Sequence, residues 1–157
     1  MIANKFRLGE VLGSIAVPGD VVRRSAILAA DYHRDAEAED FAGEPVETLA
    51  IPDWLPAARS WFPLEEVRAL GHEPLFRSSG NELVLTVGVD QHVDDCYGLL
   101  FAWVLHNDGL KFKQGGRAYM PKAGDWFIFD DRKPHGVSSG RGPNVLAAWL
   151  IPLQVTG

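Results

Sequence analysis

His92-Val93-Asp94 sets an imidazole and a carboxylate two residues apart, directly after the apolar run Leu83 to Val89. In extended chain, residues i and i+2 point to the same side, so one face presents both groups together. His135 follows Lys133-Pro134 and comes soon after a second apolar run, Trp126 to Phe129. Two histidines and one carboxylate on three corners of an octahedron hold non-haem Fe(II) and leave positions open for substrate and oxygen. The alternative is purely structural: His92 and Asp94 bond one another in a loop and His135 caps a strand. The chain supplies an internal control in His33-Arg34-Asp35. That copy falls in a segment that reads as helix, where i and i+2 lie about 200° apart around the axis and cannot converge on one ion. It reads as a solvated helix face.

The remaining reactive side chains read as bland. Cys96 has no basic neighbour or helix N-terminus to lower its pKa, so it is expected to pack rather than to attack. His72 and His106 lie in turn-like contexts, beside Gly71 and Asn107-Asp108-Gly109, and are expected at the surface. Trp103, Trp126 and Trp149 fall within apolar runs and are expected in the core.

These residues need a framework to bring them together, and the second half of the chain supplies one. From Glu82 onward come short apolar runs at turn spacing: Leu83 to Val89, Leu99 to Leu105, Leu110 to Lys113, Arg117 to Met120, Trp126 to Phe129 and Val145 to Ile151. Asn107-Asp108-Gly109 and Gln114-Gly115-Gly116 supply the positive φ angles of tight hairpins. This is the pattern of an all-β sandwich or barrel. Leu99 to Trp103 and Trp126 to Phe129 are apolar at successive positions, which predicts cover on both faces, from a facing sheet and from N-terminal helices. Residues 1–80 read as a helical and loop support region, with an amphipathic helix from Asp20 to about Glu39 and short helical pieces over Asp53–Trp61 and Pro63–Leu70, the second closed by Gly71. Residues 81–157 read as the β core, the whole forming one structural domain.

Composition limits the partners. With 157 residues, of which 46% are hydrophobic and 23% charged, the chain can bury a sizeable core. Its net charge of −6 opposes non-specific binding to a phosphate backbone and leaves a small molecule or a peptide as the expected substrate. A single cysteine excludes an intrachain disulfide and a thiolate zinc site, which favours the cytoplasm. No apolar run approaches bilayer length, so no membrane association is expected.

Three stretches together resemble a known family: Asp90 to Gly98, Leu105 to Leu110, and Pro121-Lys-Ala-Gly-Asp-Trp-Phe-Ile-Phe-Asp130 with Pro134-His135-Gly136-Val137. Over residues 82–152 the chain resembles the double-stranded β-helix of Fe(II)- and 2-oxoglutarate-dependent dioxygenases. The resemblance implies a mainly β, jelly-roll fold with helices packed on one sheet. It also implies iron held by His92, Asp94 and His135, 2-oxoglutarate as cosubstrate, and hydroxylation of a further substrate. The cosubstrate's distal carboxylate requires a basic anchor, and the strand Val145 to Ile151, where much of the family places it, has none. Other branches use a lysine on the fourth core strand, which implies Lys111 or Lys113 here. Arg141 reads as a hairpin tip. The competing arrangement turns both lysines outward with Leu110 and Phe112 inward. The Pro-x-x-Gly-Asp and Pro-His pattern is shared with cupins, so a cupin-like small-molecule-binding protein or isomerase without oxygenase activity is the alternative.

Overall fold

A computed structural model describes residues 5–38, 46–138 and 144–156. In chain order the elements are β1 (Gly13–Ser14), α1 (Gly19–Ala38), β2 (Val46–Leu49), α2 (Ala58–Trp61), α3 (Leu64–Ala69) and β3 (His72–Pro74). There follow β4 (Glu82–Thr86), β5 (Val89–His92), β6 (Leu99–Asn107), β7 (Phe112–Gln114), β8 (Arg117–Tyr119), β9 (Asp125–Asp130), β10 (His135–Val137) and β11 (Leu146–Val155). The larger sheet runs β1-β9-β6-β11-β4-β2, with β3 also paired to β11, and the smaller runs β5-β10-β7-β8. Every pairing is antiparallel. The fold is the double-stranded β-helix, the jelly roll of the cupins.

Strands β6, β9 and β11 of the larger sheet are apolar on both faces because both faces are covered, as the unbroken runs require. Phe101, Trp103, Trp126, Ile128, Trp149 and Ile151 pack with Val21 of α1, with Phe62 at the end of α2, and with Val67 of α3. The alternate residues Leu100, Ala102, Phe127 and Phe129 face the smaller sheet and meet Phe112 and Val137. Trp61 lies on Trp103 with ring centroids 4.1 Å apart, and so ties the helical layer to the sheet. All three tryptophans expected in the core are buried, and all face the helices, away from the space between the sheets.

Three expectations about the elements need correction. The run Leu83 to Val89 is not one strand. Gly88 adopts φ 121°, its N–H is held by Thr86 Oγ1 at 3.0 Å, and the chain crosses there from β4 in the larger sheet to β5 in the smaller. Residues 1–80 are more than helix and loop, since β1, β2 and β3 all join the larger sheet. Their brevity hides them: β1 is two residues long, and it pairs with β9 because Gly13 has no side chain where a Cβ would strike the Trp126 indole. Of the segment Asp53–Trp61, only Ala58–Trp61 is helical, because Pro52 and Pro56 restrict the backbone before it. The helix α1 and the short helix before Gly71 form as read, the latter closed by Gly71 at φ 88° with its N–H on Arg68 O.

His72 is buried, not at the surface. It sits on β3, pairs with Val155 of β11, and meets the Phe6 ring edge-on at 5.8 Å. Its Nδ1 has no hydrogen-bond partner, and burial lowers its pKa below the ordinary 6.5. The unfolded chain therefore takes up a proton that the folded chain resists, and stability falls as pH drops below about 6.5 toward the depressed folded value. His72→Phe retains the ring contact and removes that proton. Urea midpoints measured from pH 7 to 5 should decline less steeply in this variant than in the wild type.

Candidate metal centre

β5 and β10 are neighbours in the smaller sheet, and His92 lies directly opposite His135 in their register. The imidazole centroids are 4.4 Å apart. Each ring is aimed by its own backbone. His92 Nδ1 donates to Asp90 O at 2.8 Å, and His135 Nδ1 donates to Lys133 O at 2.9 Å. A carbonyl can only accept, so both Nδ1 atoms carry a proton, and in the neutral imidazole this leaves the Nε2 lone pair for a metal. Asp94 completes the set, with Oδ2 3.3 Å from His92 Nε2 and 3.5 Å from His135 Nε2. The three donor atoms lie within 4.8 Å of one another. Ligands on metal bonds of about 2.1 Å lie about 3 Å apart at right angles and about 3.4 Å apart at tetrahedral angles, so the donors can close on one transition ion with little movement. His135 is buried at 7% side-chain exposure, whereas Asp94 is 48% exposed. The cluster is therefore closed beneath and open toward the mouth, as an ion with vacant coordination positions requires.

Two positioning residues have no motif in the sequence. Gln114, buried at 4%, donates through Nε2 to Asp130 O at 2.7 Å and to Lys133 O and Pro134 O at 3.3 Å. Its Oε1 accepts the Asp130 N–H at 3.0 Å. One side chain thus fixes the turn that delivers His135. Asp131, buried at 3%, accepts the backbone N–H groups of Tyr97 and Gly98, and its carbonyl accepts that of Asp94 at 2.7 Å. Gln114 stands between Lys113 and Gly115 and Asp131 between Asp130 and Arg132, so nothing in the local sequence marks either role. Gly136 admits the close approach of the strands, since a Cβ there would lie 2.9 Å from Val89 O.

The three ligand candidates border a cavity of about 200 Å³ between the sheets. Its walls are mainly Val84, Leu100, Ala102, Phe112, Phe127, Phe129, Leu146, Ala148 and Leu150, with Thr48, Thr86, Glu82 and Asp131 among the polar lining residues. Lys111 and Lys113 are absent from this lining and are exposed, while Leu110 and Phe112 are buried. The period-two rule places both lysines on the outer face of β7, so the structure does not bring them to the triad. Arg141 lies outside the described residues. Cys96 is exposed at the cavity rather than packed. His33 lies on α1, as expected, 3.9 Å from Glu37, but its side chain is only 14% exposed and not on a solvated face. A third His-x-Asp pair, His106 and Asp108, is joined at 2.8 Å and does not line the cavity.

No family model matches the chain, and no curated protein matches it. Solved structures resemble it weakly. A prolyl-4-hydroxylase from Pseudomonas putida is 16% identical, with 92% of this chain and 91% of that chain covered and a TM-score of 0.45. The Cupin_2 domain of an XRE-family transcriptional regulator from Enterobacter cloacae is 12% identical, with 69% and 97% covered and a TM-score of 0.40. An RmlC-like cupin from Desulfovibrio desulfuricans is 19% identical, with 52% and 79% covered and a TM-score of 0.34. These are likenesses of fold; the strand order and the donor geometry carry the rest.

Removing the amide of Gln114 should loosen the turn before His135 without emptying the core. Gln114→Leu is expected to weaken divalent-metal binding by about ten- to a hundredfold, the usual effect of losing a group that orients a ligand. Isothermal titration with Mn(II) would measure this, with an unchanged circular dichroism spectrum as the control for folding.

Proposed function

We propose that this chain is a mononuclear non-haem Fe(II) oxygenase acting on a small, mainly apolar molecule. The observation that carries this reading is the convergence of two imidazole Nε2 atoms and one carboxylate, with both Nδ1 protons committed to backbone carbonyls. His92, Asp94 and His135 would hold the iron, which supplies oxygen activation at positions that the protein leaves open. The chain's own part is placement. β5 and β10 fix the histidines, Asp131 fixes the loop bearing Asp94, and Leu100, Phe127 and Phe129 exclude water from the space where the substrate lies.

2-Oxoglutarate, which the resemblance implies, does not fit the described lining. A dicarboxylate needs a cation for its distal end, yet among the described residues no lysine or arginine lines the cavity. The same observation favours a second reading, a cupin-like protein that binds a small molecule or isomerises it without oxygen chemistry.

Protein prepared without oxygen and titrated with Fe(II) distinguishes the readings. Alanine at His92, Asp94 or His135 should each lower iron affinity by at least about tenfold, because a three-ligand site has no spare donor. His33→Ala should bind iron as the wild type does. The oxygenase reading expects iron-dependent oxygen uptake, measured with and without added 2-oxoglutarate. Stoichiometric iron with no uptake under any condition would leave the cupin-like reading.

A further inference from the structure

Glu82 is the charged group of the cavity that neither the metal site nor the loop architecture uses. Its position follows from the path of the chain. β4 and β5 lie in opposite sheets and are joined at Val87-Gly88, so Thr86 and Val89 sit beside the turn, and Glu82 and His92 at the far ends. Both therefore face the same end of the cavity. Tyr97 marks that end independently. Its ring fills the space left by Gly80, where a Cβ would lie 2.9 Å from the ring carbons, two residues before Glu82 and three after Asp94.

The surroundings of Glu82 are apolar. Leu150 is its partner on β11, Ala102 follows on β6 and Phe127 on β9, and all three line the cavity. Burial pushes the Glu82 carboxyl above its ordinary pKa. Among the described residues its carboxylate has no hydrogen bond or ion pair, unlike Asp131, which is occupied by two backbone N–H groups, and Asp94, which is directed to the histidines. A partly desolvated carboxylate without a counter-charge is unfavourable, and a cationic ligand remedies this where a second anion would worsen it.

We propose that the cavity receives a small apolar amine, with its protonated nitrogen bound by Glu82 and its hydrocarbon body between the sheets, next to His92 and His135. The proposal rests on the reading of the triad as a metal centre only for what happens to that body. The preference for an amine belongs to the cavity itself and can be read without metal.

Benzylamine, benzyl alcohol and benzoate are near-isosteric probes of this selection. Titrated into metal-free protein at neutral pH and followed by calorimetry or amide shifts, benzylamine should bind at least about tenfold more tightly than benzyl alcohol, the scale of one charge-assisted contact. Benzoate should bind most weakly. Glu82→Gln preserves shape and should remove the advantage of benzylamine while leaving benzyl alcohol unchanged; Lys111→Met should alter neither. Equal binding of the amine and the alcohol, an unchanged benzylamine affinity in Glu82→Gln, or no binding of any probe to the wild type would overturn the proposal. Failure of the protein to bind iron would overturn the metal reading alone, since the amine preference is measured before metal is added.

Discussion

The pairing of β5 with β10 is the constraint on which the site depends. It sets His92 directly across from His135, and two imidazoles that far apart in sequence meet only if the strands that bear them are adjacent and in this register. A slip of one residue would turn one ring to the opposite face. The register is held from three sides. Gly136 lets β10 approach β5 closely, Gln114 clamps the turn ahead of His135, and the crossing at Gly88 delivers β5 to the smaller sheet.

The larger sheet bears the stability, and the smaller sheet bears the chemistry. Strands β6 and β9 are sandwiched between the helical layer and the cavity wall, and full burial of each large apolar side chain is worth about 1.5–3 kcal/mol. Phe101, Trp103 and Ile128, all on the helix side, are wholly buried. That division leaves the opposite face free to be hollow: the small Ala102 and Ala148 line the cavity where larger side chains would fill it. A firm outer layer is what permits an unfilled space inside.

Much of this was legible from the sequence, because the signals were strong and local. Unbroken apolar runs with glycine turns between them give a two-sheet β fold whose central strands are covered twice, and the His-x-Asp spacing points to two of the three clustered donors, although Asp94 lies in the loop after β5 and not on the strand. The failures are also physical. Gly88 inside an apolar run looks like a weak point in one strand and is the crossing between sheets. β1, β2 and β3 are too short for periodicity to declare them and exist through pairing with distant strands. His72 looked exposed beside Gly71, but β3 docks on β11 and buries it. Of three His-x-Asp pairs, helix geometry sets aside His33 and Asp35, whereas only tertiary position separates His106 and Asp108 from His92 and Asp94 at the candidate metal centre.

The three candidate ligands are not held alike. His92 and His135 are strand residues whose orientation comes from ladder pairing and a carbonyl under each Nδ1. Asp94 lies beyond the end of β5, in a loop restrained by its own N–H on Asp131 O and by the Asp131 carboxylate farther along. A strand ligand moves only if the sheet moves, whereas a loop ligand can shift with one or two hydrogen bonds. Asp94 is also the most exposed of the three. Adjustment on binding an ion or a substrate would therefore fall on the carboxylate, with the histidine pair as the fixed base. Asp131 governs how far that adjustment goes, because the same residue anchors the loop at Asp94 and at Tyr97, where the wall of the cavity begins.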